Sequence, residues 1–229
     1  MISQNYFTLP FYLPRILLLF CNWHLYLLNY LSRRRRPAEY RFRDGYRLID
    51  GTGTLTGTIA VVFVRREYGP LHDFRTIIDI GANMGAFAVY AARSCPNAIL
   101  YCYEPENLNF SVLRKNITIN SLEGRILPFQ CAVAGSSEER ELAIGLSPLN
   151  SLVQPSAHGG RQMVQCTTVD SILTAHQLEK VDLMKVNCEG AEYEIFGSCS
   201  ADDFKRISNI RVEYHNLTGQ HRNGKALAE

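Results

Sequence analysis

Hydrophobic residues are spread unevenly along the chain, and their spacing divides it into two parts. Residues 14–31, PRILLLFCNWHLYLLNYL, form the most apolar stretch, and four arginines follow at 33–36. One helix of about 18 residues would nearly cross a bilayer core. Arg15, Asn22 and Asn29 recur every seventh position, which places them on one stripe of such a helix. Three arrangements fit. The helix packs on its own domain or on a second subunit as a homo-oligomer. Or it lies in a membrane interface, with Trp23, Tyr26 and Tyr30 at headgroup level and the arginines on anionic lipid. Or it spans the bilayer, in which case the basic flank keeps the domain in the cytosol. A secretory signal is not expected, because the basic cluster follows the apolar run and no small-residue cleavage site follows it. The pattern therefore predicts a hydrophobic and basic helical segment over 1–37 and a separate domain over 38–229.

Within that domain the periodicity changes. Residues 39–50 alternate around Asp44-Gly45, a hairpin signal. Residues 58–68, TIAVVFVRREY, read as a strand or as a buried helix, and Gly69-Pro70 ends them. Short apolar runs then alternate with helical spacing. Strands are expected at 76–80, 98–104, 125–135, 181–187 and 207–214, and helices at 85–95, 106–120 and 189–198. Residues 140–146 and 163–170 read as extended excursions, and Asp170 as the N-cap of a helix over 171–178. Alternating apolar strands and helices predict an α/β fold with a doubly wound, mostly parallel sheet covered on both faces. Ligands of such sheets bind beyond the carboxyl ends of the strands.

The turn leaving the first of these strands, DIGANMG at 79–85, is the chemically informative one. Gly81 permits a backbone that a Cβ forbids, and Gly85 lets a helix begin close above the sheet. A helix start attracts an anionic group. The G-x-x-x-G spacing is not the G-x-G-x-x-G of dinucleotide folds, so a nicotinamide cofactor fits less well. Glu104 ends the next strand, 25 residues after Asp79, where a carboxylate can accept both hydroxyls of a ribose. A glycine turn for an amino-acid moiety and an acid for a ribose together describe a pocket for S-adenosyl-L-methionine.

Composition narrows this further. A net charge of +2 gives no general attraction to nucleic acid. The seven cysteines are scattered without a C-x-x-C pair or metal-like spacing, which points to free thiols in a reducing, cytoplasmic compartment. No metal site is expected.

IDIGANMGAF, CYEPENLNFSVLRKN, CAVAG, NSL, TTVDSIL, LMKVNCEGAEYEIFGS and VEYHNL occur in this order over about residues 39–218. Together they resemble the FkbM-type family of S-adenosylmethionine-dependent methyltransferases. The resemblance implies a class I methyltransferase Rossmann-like fold. It also implies methyl transfer to a hydroxyl of a sugar, glycan or polyketide-like acceptor, and a lipid-linked hydroxyl is a further acceptor the chain could serve. By resemblance, Asp79, Gly81, Asn83, Gly85 and Glu104 hold the cofactor, and Asn109 and Ala132 lie near it. Ser151, in the NSL segment, is expected only to shape the acceptor mouth. The chain departs from the family pattern twice. Asn187 stands where the family's K-x-D-x-E-G-x-E has Asp, and an amide cannot act as a base. After EYH at 213–215 the family continues with a helix and two strands. Only 14 residues remain here, so the expected sheet lacks that last helix and those two strands.

A hydroxyl acceptor must lose a proton, which requires a base. His215 is the first candidate because its ordinary pKa lies near neutrality. Glu189 and Glu213 compete for the role, and Lys185 either orients the acceptor or pairs with Glu189. Two readings remain: an O-methyltransferase, or a catalytically weak cofactor-binding protein acting as a membrane-associated or oligomeric module.

Overall fold

The computed structural model describes residues 9–32, 36–145 and 160–214. The apolar N-terminal stretch forms two helices instead of one, α1 (Leu9–Leu19) and α2 (Trp23–Leu31). Between them Phe20 bridges Phe42 in antiparallel fashion, and the Cys21 N–H donates to Arg41 O at 2.8 Å. Asn22 continues this pairing with its side chain. Its Nδ2 donates to Glu39 O at 2.7 Å and its Oδ1 accepts from Arg41 N at 3.0 Å. The strand edge of the next hairpin thus competes with the helix for these backbone groups, and it breaks the helix.

That hairpin is β1 (Ala38–Arg41) and β2 (Arg47–Asp50), antiparallel as the alternation predicts. A lone two-stranded ribbon is marginal in water. Here asparagine side chains close both edges. Asn22 closes β1. On β2, Asn116 bonds both the N–H and the carbonyl of Ile49, and Asn120 bonds both groups of Arg47. Most of residues 58–68 is helical, not extended: α3 (Leu55–Ile59) runs into a π-helical turn, Ala60–Arg65, and the chain then turns at 66–68. Ile59, Ala60, Val62, Phe63 and Val64 are all buried, so this run is covered nearly all round. β-branched residues there report burial instead of a strand.

The remaining elements in order are β3 (Thr76–Ile80), α4 (Ala86–Ser94), β4 (Ile99–Tyr103), α5 (Asn107–Thr118), β5 (Ile126–Phe129), β6 (Ala132–Val133) and β7 (Glu139–Ala143). They continue with β8 (Arg161–Thr167), α6 (Val169–Ala175), β9 (Leu183–Val186), α7 (Glu192–Ser198), α8 (Ala201–Arg206) and β10 (Ile210–Val212). Five strands form a parallel sheet in the order β10-β9-β3-β4-β5. The expected strand over 125–135 is split. β5 pairs with β4, whereas β6 joins β8 and β7 in a small mixed sheet. Thr168, not Asp170, caps α6, accepting from Ser171 N at 3.2 Å. The short helix α8, with Ser200 and Asp203 in a reciprocal capping box, carries a clear cap signature that the apolar pattern alone does not reveal.

Side chains alternate across the sheet. On one face Ile77, Leu100, Ile126 and Leu183 join α4, α5 and the N-terminal helices in one buried cluster. On the other, Ile78, Ile80, Tyr103, Met184 and Val186 pack with residues of α6 and α7. The sheet is therefore covered on both faces, the doubly wound arrangement predicted. Strand order reverses at β3, between β4 and β9. That reversal is where open α/β sheets form their ligand crevice. The expected lack of a last helix and two strands concerns the chain beyond Tyr214, outside the described residues.

Candidate active site

Two segments leave the sheet side by side at the reversal. After β3 the chain turns through Gly81, whose φ is 73°, and a Cβ there would meet Asn187 O at 1.8 Å. Only glycine fits where the β3 and β9 exits touch. Gly85 begins α4 at φ 86°, with the Leu113 side chain 2.6 Å from the position of an added Cβ. The first bond into α4 runs from Val89 N–H to Gly85 O. The N–H groups of residues 86–88 consequently lack an intrahelical partner.

The cleft above this junction is lined by Gly81, Asn83, Glu104, Asn109, Ala132, Lys185, Asn187 and Glu189 among the expected residues. Phe87, Val133 and Cys188, which lie inside the family motifs without standing out from them, also line it, as do Tyr68 and Leu142, which no motif contains. Asp79 and Gly85 do not line it. Gly85 packs under α5, and Asp79 lies beneath the turn, fully buried. Asp79 and Lys185 are register partners on β3 and β9, so their side chains share a face. Lys185 Nζ stands 2.9 Å from Asp79 Oδ1 and also donates to Gly81 O at 2.8 Å. Lys185 thus pairs with Asp79, not with Glu189, and ties the glycine turn to β9. Burial alone would lower the Lys185 ammonium, but the adjoining carboxylate more than reverses this and keeps it charged. His215 and Ser151 lie outside the described residues.

Glu104 is buried at the cleft wall. Its carboxylate accepts from Asn83 N at 2.8 Å and Glu106 N at 3.0 Å, with Asn109 Nδ2 at 3.5 Å. A carboxylate offers about four acceptor sites, so capacity for hydroxyl donors remains. Burial pushes its pKa up to about 7, and these donors only partly offset it. The folded protein therefore holds this proton more tightly than the unfolded chain. Its contribution to stability is present below the ordinary value of 4.5 and is lost as pH rises through 7. Beside it, Asn109 Oδ1 is buried without a hydrogen-bond partner, an open acceptor on the cleft wall. Asn83 and Glu189 both take left-handed backbone at φ 51° and 53°, a conformation that concentrates at functional sites.

At the opposite side Asn187 Nδ2 donates to Glu213 Oε2 at 2.7 Å, and Tyr68 OH donates to the same oxygen at 3.3 Å. Tyr68 meets Phe87 edge-on with centroids 5.1 Å apart. The loop after β9 is held by Glu192, which accepts from Cys188 N and Gly190 N. The cleft thus has an acid and amide wall at β4 and, across from it, Asn187 and Tyr68, both bonded to the exposed Glu213, which does not itself line the cleft.

Residues 79–225 match the Methyltransferase FkbM domain, more than half of the chain. The chain belongs to the FkbM-domain methyltransferase family. The match begins at Asp79 and takes in the glycine turn, Glu104 and the loop after β9. Methyltransferase sdnD of Sordaria araneosa is 25% identical over 184 residues, covering 67% of this chain and 71% of that protein. The 31-O-demethyl-FK506 methyltransferase FkbM of Streptomyces tacrolimicus is 21% identical over 174 residues, covering 62% of this chain and 66% of that protein. The crystal structure of methyltransferase FkbM from Methylobacillus flagellatus KT aligns with a TM-score of 0.43 at 13% identity, over 84% of this chain and 44% of that one.

Proposed function

We propose that this FkbM-domain methyltransferase uses S-adenosyl-L-methionine and methylates a hydroxyl oxygen of a small sugar, glycan, lipid-linked or polyketide-like acceptor. One observation carries the reading: at the strand-order reversal, a glycine turn and a buried carboxylate on the adjacent strand face one cleft. The residues present fit the donor. Glu104 has spare acceptor capacity for ribose hydroxyls, Asn109 Oδ1 is unpartnered, and α4 begins with free N–H groups. When bound, the donor supplies a methyl group already activated by its sulfonium. The protein's task is then alignment, exclusion of water and removal of the acceptor's proton. Lys185 and Asp79 fix the turn from below. Tyr68 and Phe87 give the cleft an aromatic wall. The name of the Streptomyces relative describes methylation at oxygen, which supports a hydroxyl acceptor.

Asn187 replaces the acid of the family pattern, yet it donates to Glu213. A negative group is thereby held at this side of the cleft, one hydrogen bond beyond position 187. This bond supports turnover over the inactive reading, with Glu213 taking the acceptor's proton. The test is methyl transfer from S-adenosylmethionine across a panel of sugar, glycan, lipid-linked and polyketide hydroxyls. Glu213→Gln is expected to lower turnover by on the order of 100-fold with donor affinity unchanged. Undiminished turnover would move the base elsewhere, to His215 first. No transfer to any hydroxyl, with the donor bound, would end the O-methylation reading.

A further inference from the structure

The stripe of Arg15, Asn22 and Asn29 faces the protein, the reverse of an ordinary amphipathic surface helix. Asn22 bonds β1, and Asn29 donates to Tyr40 OH at 2.9 Å in the interior. Tyr26 is buried and stacked on Phe20. The exposed positions of the two helices are apolar except for His24. On α1 the apolar ones include Phe11, 86% exposed, and Leu18, 74% exposed, with Pro10 and Pro14 exposed beside them. On α2 they are Trp23, Leu28 and Leu31. Arg15 is the sole charged residue of the two helices. Two consecutive helices thus turn their apolar faces outward, the pattern of a surface that is covered in use.

Charge identifies the cover. Residues 1–38 hold five of the 24 basic residues and none of the 22 acidic ones, which leaves the remainder of the chain at −3. Arg36, just past α2, and Arg43, whose Nε donates to Leu17 O on α1, are both exposed. A symmetric dimer through this face would bring together two segments rich in arginine with no acid between them. An anionic lipid surface matches both the apolar face and the charge. No helix among the described residues is long and apolar enough to cross a membrane, so the fit is to the interface and not to the bilayer core.

We infer that the outward face of α1 and α2 docks the domain onto an anionic membrane surface. Phe11, Leu18, Leu28 and Leu31 enter the headgroup and acyl boundary, and the exposed Arg36 and Arg43 meet the lipid charge. The catalytic cleft is built from other elements, so docking and donor binding are separable. The experiment is flotation of the full chain with vesicles of phosphatidylcholine containing about 30 mol% phosphatidylserine, against pure phosphatidylcholine. The native chain is expected to float with the anionic vesicles and to lose most of that binding on neutral vesicles or at about 1 M salt. The variant Leu18→Glu/Leu28→Glu alters only exposed positions. It is expected to lower vesicle affinity by more than about tenfold while keeping its melting temperature. The inference is overturned if the native chain fails to float or if it floats equally on both vesicles. It is also overturned if the double variant floats as well as the native chain, or if that variant only abolishes a concentration-dependent dimer.

Discussion

Gly81→Ala is expected to destabilise the protein by about 3–5 kcal/mol, lowering its melting temperature by roughly 10 °C. Two independent costs add. At φ 73° an alanine Cβ is strained by about 1–2 kcal/mol. The same Cβ would stand 1.8 Å from Asn187 O, so the exits of β3 and β9 must separate, at the expense of the 3.1 Å bond from Asn187 N to Ile80 O. Because those exits form the floor of the cleft, donor binding should be lost with stability. Gly45→Ala is the control. It shares a positive φ of 93° but meets nothing within 4 Å, so it should show only the first cost, about 1 kcal/mol. Thermal melts of the two variants, side by side, separate backbone strain from collision. Equal shifts would mean that the strand exits are not in contact.

Lys185→Met carries the second large effect. It leaves Asp79, fully buried and with no other hydrogen-bond partner, without its counter-charge. Removing one partner of a buried ion pair costs about 3–5 kcal/mol. The loss depends on pH, and its sign is fixed. Burial already raises the Asp79 carboxyl above its ordinary value, with Lys185 holding it down. Without the lysine the value rises further, so the folded variant binds a proton that the unfolded chain does not. The penalty is therefore full at alkaline pH and relieved as pH falls through the raised value. The double variant Asp79→Val/Lys185→Met has no orphaned charge and should be more stable than Lys185→Met alone at pH 8. Denaturant titrations at two pH values check both statements. A loss independent of pH would show that Lys185 acts only through its bonds to the glycine turn.

This pair also shows how far the sequence could be read. TIIDI and LMKV each place one charged residue in an otherwise apolar strand, and an isolated buried charge needs a partner. Pattern alone does not reveal that β9 crosses over to lie beside β3, so sequence proximity points Lys185 to the local acid Glu189. The sheet, the hairpin, the glycine turn and Glu104 were legible because each rests on local spacing. The π-helical turn was not, because a run buried all round has no periodicity to distinguish helix from strand. The break between α1 and α2 depends on Asn22 meeting a strand that arrives 17 residues later. The contact of Tyr68 with Glu213 spans 145 residues, and no motif announces it. The outward apolar face has the same origin: the seven-residue polar stripe was visible, but which side it faced was set by the hairpin.

The claim on which the rest depends is that the cleft between Gly81 and Glu104 is the donor site, and calorimetric titration with S-adenosylmethionine tests it directly. Burial raises the Glu104 carboxyl to about 7, so it carries a proton more readily than a free carboxyl in the unliganded protein, and accepting two ribose hydroxyls favours its charged form. Binding near pH 7 is expected to release protons, read from the heat in buffers of different ionisation enthalpy. Glu104→Gln should abolish that release and weaken affinity more than about tenfold. No binding by the native chain, or a Glu104→Gln variant with unchanged affinity and proton release, would contradict the account.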